Sequence, residues 1–263
     1  TRVNKAAVLC LSGGMDSTSL LLKLLKKNYK IFAISYNYGQ KHKIEIQKAK
    51  KNIKYLKSKN YNINHKIIDI SDCVTLLSSS ITNENIEVPE GYYEEDNMKS
   101  TFVPNRNAIF SSILYGYAIT LSKKMKKKIL ITLGVHSGDH AIYPDCREGF
   151  YKKLFNAFSE GNWDSDKVEL MLPYLKLDKS QILLDAQKSC QKLDISFNTI
   201  FKNTITSYSP TEDGISSGKS GSDIERILAF NKLGLKDPIN YIESWDIVLK
   251  NALKVEENFN KIN

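Results

Sequence analysis

An α/β fold, a parallel sheet with helices on both faces, is predicted from three observations. The first apolar run, Ala6–Leu11, passes through a glycine turn into leucines at helical spacing. Apolar runs and helical patterns then keep alternating along the chain, which implies right-handed crossovers and a parallel sheet. Finally, 263 residues that are 41% hydrophobic suit one globular domain of ordinary size. In order, AAVLCL reads as a buried strand, Ser12–Ser17 as a loop, and Leu20, Leu21, Leu24 and Leu25 as the inner face of a helix. Ile31–Tyr36 gives a second strand, and Ile46, Ala49, Ile53 and Leu56 the apolar face of a second helix. Ile67–Ile70 offers a third strand, a long apolar helix starts near Pro104, and Ile129–Leu133 gives a fourth strand.

Residues 71–100 are polar, acidic in Glu84–Asp96 and without a sustained period, and read as an excursion from the sheet. Residues 207–222 are rich in Gly, Ser and Pro and read as a loop. Helical spacing returns through Ile227, Phe230 and Leu233, and again through Val248, Leu249, Ala252 and Leu253. The expected organisation is therefore a sheet domain over 1–205 with the excursion at 71–100, followed by a loop and helical region over 206–263.

The net charge is +9, but much of it lies in lysine-rich stretches such as Lys23–Lys30, Lys41–Lys59 and Lys123–Lys128. These suit solvated helix faces and helix ends better than a nucleic-acid surface. Four cysteines, Cys10, Cys73, Cys146 and Cys190, lie far apart without a C-x-x-C pair, which argues against a disulfide framework and fits a reducing cytoplasm. No apolar run approaches the roughly 18 residues that span a bilayer, and no signal-peptide pattern precedes the first strand. A soluble, cytoplasmic protein is the expectation.

Chemistry concentrates in Ser12-Gly13-Gly14-Met15-Asp16-Ser17, at the carboxyl end of the first strand and the start of a helix. Adjacent glycines let the backbone turn sharply, successive N–H groups form a concave nest, and the helix dipole favours an anion. Ser12 and Ser17 can add hydroxyl donors, and Asp16 can hold magnesium or fix the loop. The spacing is neither G-x-G-x-x-G nor G-x-x-x-x-G-K-[ST], so dinucleotide and Walker-type readings fail.

SGGMDS after a first strand resembles the PP-loop ATPases, whose Rossmann-like domains bind the pyrophosphate of ATP and adenylate a substrate oxygen. Four further segments, YNYGQKH (36–42), FVPNRN (102–107), YPDCR (143–147) and PYLKLDK (173–179), resemble the 7-cyano-7-deazaguanine synthases of queuosine-precursor biosynthesis. The resemblance runs from about Ala6 to about Phe230. It implies adenylation of 7-carboxy-7-deazaguanine, displacement of AMP by ammonia to give an amide, and a second ATP-driven step to the nitrile. It further implies ATP contacts from Leu11, Ser12, Gly13, Gly14, Met15, Asp16, Ser17, Tyr36, Gln40, Lys41, His42 and Lys179. Asp16, Ser17 and Lys179 would be catalytic, with Asp16 the magnesium-linked residue. His42 on its own also reads as a partly exposed helix-start residue.

For the deazaguanine, the matching segments supply Phe102, Arg106, Asn107, Asp139, Tyr143, Asp145 and Arg147. Asp145 is assigned to the guanine edge, and either Arg106 or Arg147 to the 7-carboxylate. Cys146 reads equally as a nucleophile or as a buried structural thiol.

The chain departs from the resemblance near its C-terminus. The family's zinc cysteines are replaced by Ser207, Ser217, Ser220 and Asp223, while Gly218 and Arg226 of that pattern remain. Serine hydroxyls are poor zinc ligands, so no zinc is expected and the loop should be held by hydrogen bonds or by a partner. This departure keeps a second reading open, an antiphage-operon paralogue that conjugates the activated deazaguanine carboxylate to a protein amine. A catalytically idle nucleotide-binding scaffold and a tRNA-modifying PP-loop enzyme are weaker alternatives. The family resemblance also implies a homodimer.

Overall fold

The computed structural model describes residues 5–39, 43–77, 79, 82, 90, 99–136, 143–205 and 214–262. Five parallel strands form one sheet: β1 (Lys5–Cys10), β2 (Tyr29–Asn37), β3 (Ile63–Asp69), β4 (Ile129–Thr132) and β5 (Val168–Met171), in the order β3-β2-β1-β4-β5. Between them and after them run α1 (Met15–Lys26), α2 (Ile44–Ser58), α3 (Ser71–Val74), α4 (Arg106–Met125), α5 (Glu148–Glu160), α6 (Lys179–Leu193), α7 (Phe197–Lys202), α8 (Gly221–Lys232) and α9 (Trp245–Ile262). The predicted doubly covered α/β fold is what the chain adopts.

The pleat of β1 sorts its side chains into two cores. Ala7 and Leu9 face one side, with Leu11 just beyond the strand, and pack with Leu20, Leu21 and Leu24 of α1, Ala49, Ile53 and Leu56 of α2, Ile182, Leu183 and Ala186 of α6, and Phe230 of α8. Ala6 and Val8 face the other side and pack with Phe110, Leu114, Ala118 and Leu121 of α4 and with Tyr151 and Phe155 of α5. Because α1 is buried along Leu20, Leu21, Leu22, Leu24 and Leu25, it is clamped between the sheet and α6 and cannot shift without opening the first core.

Two differences from the sequence expectation share one cause. β3 begins at Ile63, four residues earlier than its apolar run, and β5 was not expected. Both are edge strands, so Asn64, Lys66 and Glu169 are exposed and interrupt the continuous apolar run that marks a central strand. Of the excursion at 71–100, α3 occupies the start and most of the remainder lies outside the described residues.

The strand order fixes where a ligand can sit. The chain steps outward from β1 to β3, then α4 carries it back to lay β4 on the other side of β1. Strand order reverses between β1 and β4, and the crevice beyond their carboxyl ends is where open α/β sheets bind ligands. Among the described residues no helix is long and apolar enough to cross a membrane.

Candidate active site

A cleft of about 310 Å³ opens at that switch point. Its floor is the 12–17 loop and the start of α1, and its walls come from the exit of β4, the start of α4, the 143–146 turn, Lys179 of α6 and the first turns of α8.

The loop is built from its own side chains. Gly13 takes φ +83°, and a Cβ there would lie 2.1 Å from the Glu45 carbonyl oxygen, so only glycine lets the loop pass α2. Ser17 Oγ accepts from Ser12 N at 3.1 Å and is 3.0 Å from Ser12 Oγ, which in turn accepts from Gly14 N at 3.2 Å. Both hydroxyls therefore brace the turn. The N-cap of α1 is Gly14, which has no side chain to cap the helix, and the first-turn N–H groups are left to serve an anion.

Asp16 and Lys179 meet above this turn. A capping box holds the start of α6: Asp178 N donates to Gln181 Oε1 at 2.9 Å, and Gln181 N donates to Asp178 Oδ1 at 2.7 Å. Lys179 thus sits at the first helical position, with its Nζ 2.6 Å from Asp16 Oδ2. Burial alone would raise the Asp16 carboxyl, but the Lys179 ammonium and the His136 ring outweigh it and leave the group below the ordinary carboxylate value. Asp16 Oδ1 is buried and has no hydrogen-bond partner among the described residues. An ionised carboxylate with one unengaged oxygen beside an anion-binding turn fits a magnesium ion, which binds through one or two carboxylates together with substrate phosphates.

Across the cleft the residues suit a planar, polar ring. Phe102 and Tyr143 lie nearly parallel with centroids 6.3 Å apart. The Arg106 guanidinium lies over Tyr38 at 5.3 Å and Phe110 at 6.0 Å, and Nη1 donates to Tyr38 Oη at 3.2 Å. Asp145 is buried, which pushes its carboxyl up; the charge of Arg106 and backbone donors at Asp145 and Asn107 offset part of that. Asn107 and Asp145 both contact the Cys146 thiol, at 4.0 and 3.9 Å. Burial pushes that thiol up to about 12, so it is protonated at neutral pH and suits a structural role rather than that of a nucleophile.

Of the residues singled out from sequence, Ser12, Gly14, Met15, Asp16, Ser17, Lys179, Phe102, Arg106, Asn107, Tyr143 and Asp145 line the cleft together. Leu11 and Tyr36 lie beneath it in the two cores; Tyr36 stacks on Phe110 at 4.2 Å and donates to its carbonyl oxygen at 3.0 Å. Arg147 is exposed at the N-cap of α5 and is not among the lining residues. Gln40, Lys41, His42, Asp139 and Ser207 lie outside the described residues. Sequence reasoning missed Tyr38, Glu45, His136 and Glu225, which also line the cleft. Tyr38 stood inside the 36–42 segment, and both it and His136 follow the carboxyl ends of strands, β2 and β4, a positional signal that could have found them.

The C-terminal loop is tied by hydrogen bonds. Asp223 Oδ2 accepts from Gly218 N at 3.1 Å and Ser217 Oγ at 3.2 Å, and Ser220 caps α8 by accepting from Asp223 N at 3.2 Å. Fully buried Arg226 grips Asp237 through Nε and Nη2 at 2.6 and 2.9 Å, and reaches Thr204 Oγ1 at 2.8 Å and the Phe201 carbonyl at 3.1 Å. Zinc prefers thiolate and imidazole ligands, and neutral hydroxyls around one engaged carboxylate do not suit it. Among the described residues no cluster of three or more His, Cys, Asp or Glu is placed to hold a metal.

The family model "Queuosine biosynthesis protein QueC" matches residues 6–234. The 7-cyano-7-deazaguanine synthase of Hahella chejuensis is 41% identical over 235 residues, covering 89% of this chain and 92% of its own. That of Caldicellulosiruptor saccharolyticus is 42% identical over 242 residues, covering 91% and 98%. The solved structure of NMN synthetase from Francisella tularensis aligns with 98% of this chain and 85% of its own, at 15% identity and a TM-score of 0.41. With a glycine-loop cleft at the sheet's switch point and a match spanning both of its walls, the chain belongs to the QueC family of queuosine biosynthesis proteins.

Proposed function

We propose that this chain converts 7-carboxy-7-deazaguanine to the 7-cyano compound at the expense of ATP. The observation that carries the reading is the single cleft in which the Ser12–Ser17 turn and the Asp16–Lys179 pair face Phe102, Arg106, Asn107, Tyr143 and Asp145. The N–H groups at the start of α1 and the Lys179 ammonium hold the phosphates, and Phe102 with Tyr143 covers a flat heterocycle. Asp145 accepts from the guanine N1–H and exocyclic amine, while the Arg106 guanidinium orients the 7-carboxylate. A carboxylate oxygen attacks the α-phosphorus, pyrophosphate leaves, and ammonia then displaces AMP to form the amide. Adenylation of the amide oxygen by a second ATP, followed by loss of AMP and two N–H protons, gives the nitrile. The residues do this mainly by positioning and charge neutralisation. Magnesium, held by Asp16 when bound, would supply further neutralisation of the phosphates. The first turns of α8 would serve as a wall of this cleft without zinc.

The test is incubation with ATP, magnesium, 7-carboxy-7-deazaguanine and ammonium, followed by mass spectrometry. AMP, pyrophosphate and nitrile are expected; absence of AMP overturns the reading. AMP and amide without nitrile would favour the second reading, conjugation to a protein amine, which the replaced cysteines keep in view. Asp16→Asn should abolish AMP release, and full activity in that variant would refute the assigned role of Asp16.

A further inference from the structure

His136 takes no part in the roles above, yet its ring lies against both members of the Asp16–Lys179 pair. The chain leaves β4 through Gly134, where a Cβ would lie 2.9 Å from Ser17 N and 3.0 Å from the Asp16 carbonyl carbon. That close passage over the start of α1, which glycine permits, delivers His136 to the cleft with its side chain only 14% exposed.

The ring's hydrogen bonding follows from its neighbours. Nε2 lies 3.2 Å from Lys179 Nζ and 3.5 Å from Asp16 Oδ2. An ammonium has donors only, so Nε2 accepts from Lys179, and the carboxylate shares that ammonium rather than bonding the ring. With Nε2 accepting, the proton of the neutral ring sits on Nδ1. Nδ1 is buried and has no hydrogen-bond partner among the described residues. A buried N–H without an acceptor is rare in a folded chain and marks a place where a ligand atom belongs. Lys179 has also committed two of its three hydrogens, to Asp16 and to His136. The third and the Nδ1–H of His136 are two donors beside a turn that is itself built for an anion.

We propose that His136 is a nucleotide-binding residue, fixing the Lys179 ammonium through Nε2 and donating from Nδ1–H to a phosphate oxygen of bound ATP. The proposal rests on the ATP reading of the cleft and deepens it by assigning a contact from the β4 exit.

The test measures binding without turnover, by isothermal titration of the α,β-methylene analogue of ATP with magnesium. His136→Asn keeps an N–H donor near the position of Nδ1, His136→Gln reaches the position of Nε2 instead, and His136→Ala removes both. His136→Ala should weaken binding roughly tenfold or more, the scale of one hydrogen bond to a charged acceptor. His136→Asn should recover to within about threefold of the unaltered protein, while His136→Gln stays weak. Binding within twofold in a folded His136→Ala protein, or equal binding by the Asn and Gln variants, overturns the proposal. If His136→Ala does not fold, the Asn and Gln pair, both amides, decides alone. No binding to the unaltered protein would remove both the ATP reading and this one. Binding that depends on His136 in a protein that releases no AMP would leave this inference standing and refute the proposed function.

Discussion

Replacing Asp237 by alanine tests whether a buried ion pair holds the C-terminal region around the 217–223 loop. Asp237 and Arg226 side chains are both 0% exposed, and Asp237 also accepts from Tyr241 Oη at 2.8 Å and Ile239 N at 3.1 Å. Arginine cannot shed its charge in a protein, so Asp237→Ala leaves a buried cation without its bidentate carboxylate, with the Thr204 hydroxyl and the Phe201 carbonyl among the oxygens it still reaches. Removing one partner of a buried pair costs about 3–5 kcal/mol. For a chain of this size each kcal/mol shifts the melting temperature by about 2–4 °C, so the midpoint should fall by roughly 6–20 °C. Gly221, Ser222 and Glu225 of α8 line the cleft, so the variant should also weaken substrate binding below its melting transition. Scanning calorimetry with and without a strong zinc chelator is the assay. A midpoint within 2 °C of the unaltered protein would refute the assignment of stability to this pair, and a large chelator-induced drop in the unaltered protein would show that a metal supports the region after all.

Three further tests, on four variants, separate the remaining contributions. Gly13→Ala forces a left-handed backbone costing about 1–2 kcal/mol, in addition to its collision with the Glu45 carbonyl; loss of at least roughly tenfold in nucleotide affinity is expected by titration. Arg147→Ala should leave the KM for the deazaguanine within twofold, whereas Arg106→Gln should raise it roughly tenfold or more, the size of one lost charge-assisted hydrogen bond; the reverse ranking in steady-state kinetics would move the carboxylate site to α5. Burial pushes the Glu45 carboxyl up from 4.5 to about 7, with Arg106 opposing. A raised carboxyl binds its proton more tightly in the folded chain, so its contribution favours folding below pH 4.5 and is lost as pH rises to 7. Glu45→Gln should therefore gain stability relative to the unaltered protein across that window, read as the difference between two urea-melt pH series; a flat difference would show that Glu45 is not desolvated in the folded state.

How much of this was legible in the chain depends on the range of the interactions. β1, β2 and β4 are buried on both faces, so each appears as an uninterrupted apolar run, and the faces of α1 and α2 follow from their periods. Lys66 and Glu169 mask the two edge strands because half of each edge faces water. The glycine turn was equally legible, since its geometry is set within six residues by Gly13, Ser12 and Ser17. Asp16, by contrast, draws its character from Lys179, 163 positions away, and from His136. No period or spacing encodes that meeting; it follows from the strand order, which sets the exit of β4 beside β1, and from the packing of α6 on α1.

The same logic explains why motif residues separate into those at the cleft and those beneath it. Tyr36 and Tyr38 stand two positions apart, so period-2 alternation alone would send them the same way. Both do pack on Phe110 in the same core, Tyr36 stacked at 4.2 Å and Tyr38 tilted at 5.6 Å. Tyr36 lies within β2, beneath the cleft, while Tyr38, one residue past the strand end at Asn37, lines the cleft and meets Arg106 there. Open α/β sheets place ligand-facing residues in the few positions just past each strand, where the backbone has left the sheet and the side chain is free to be aimed. His136 lines the cleft four residues past β4, as Tyr38 does one residue past β2 and Ser12 two past β1.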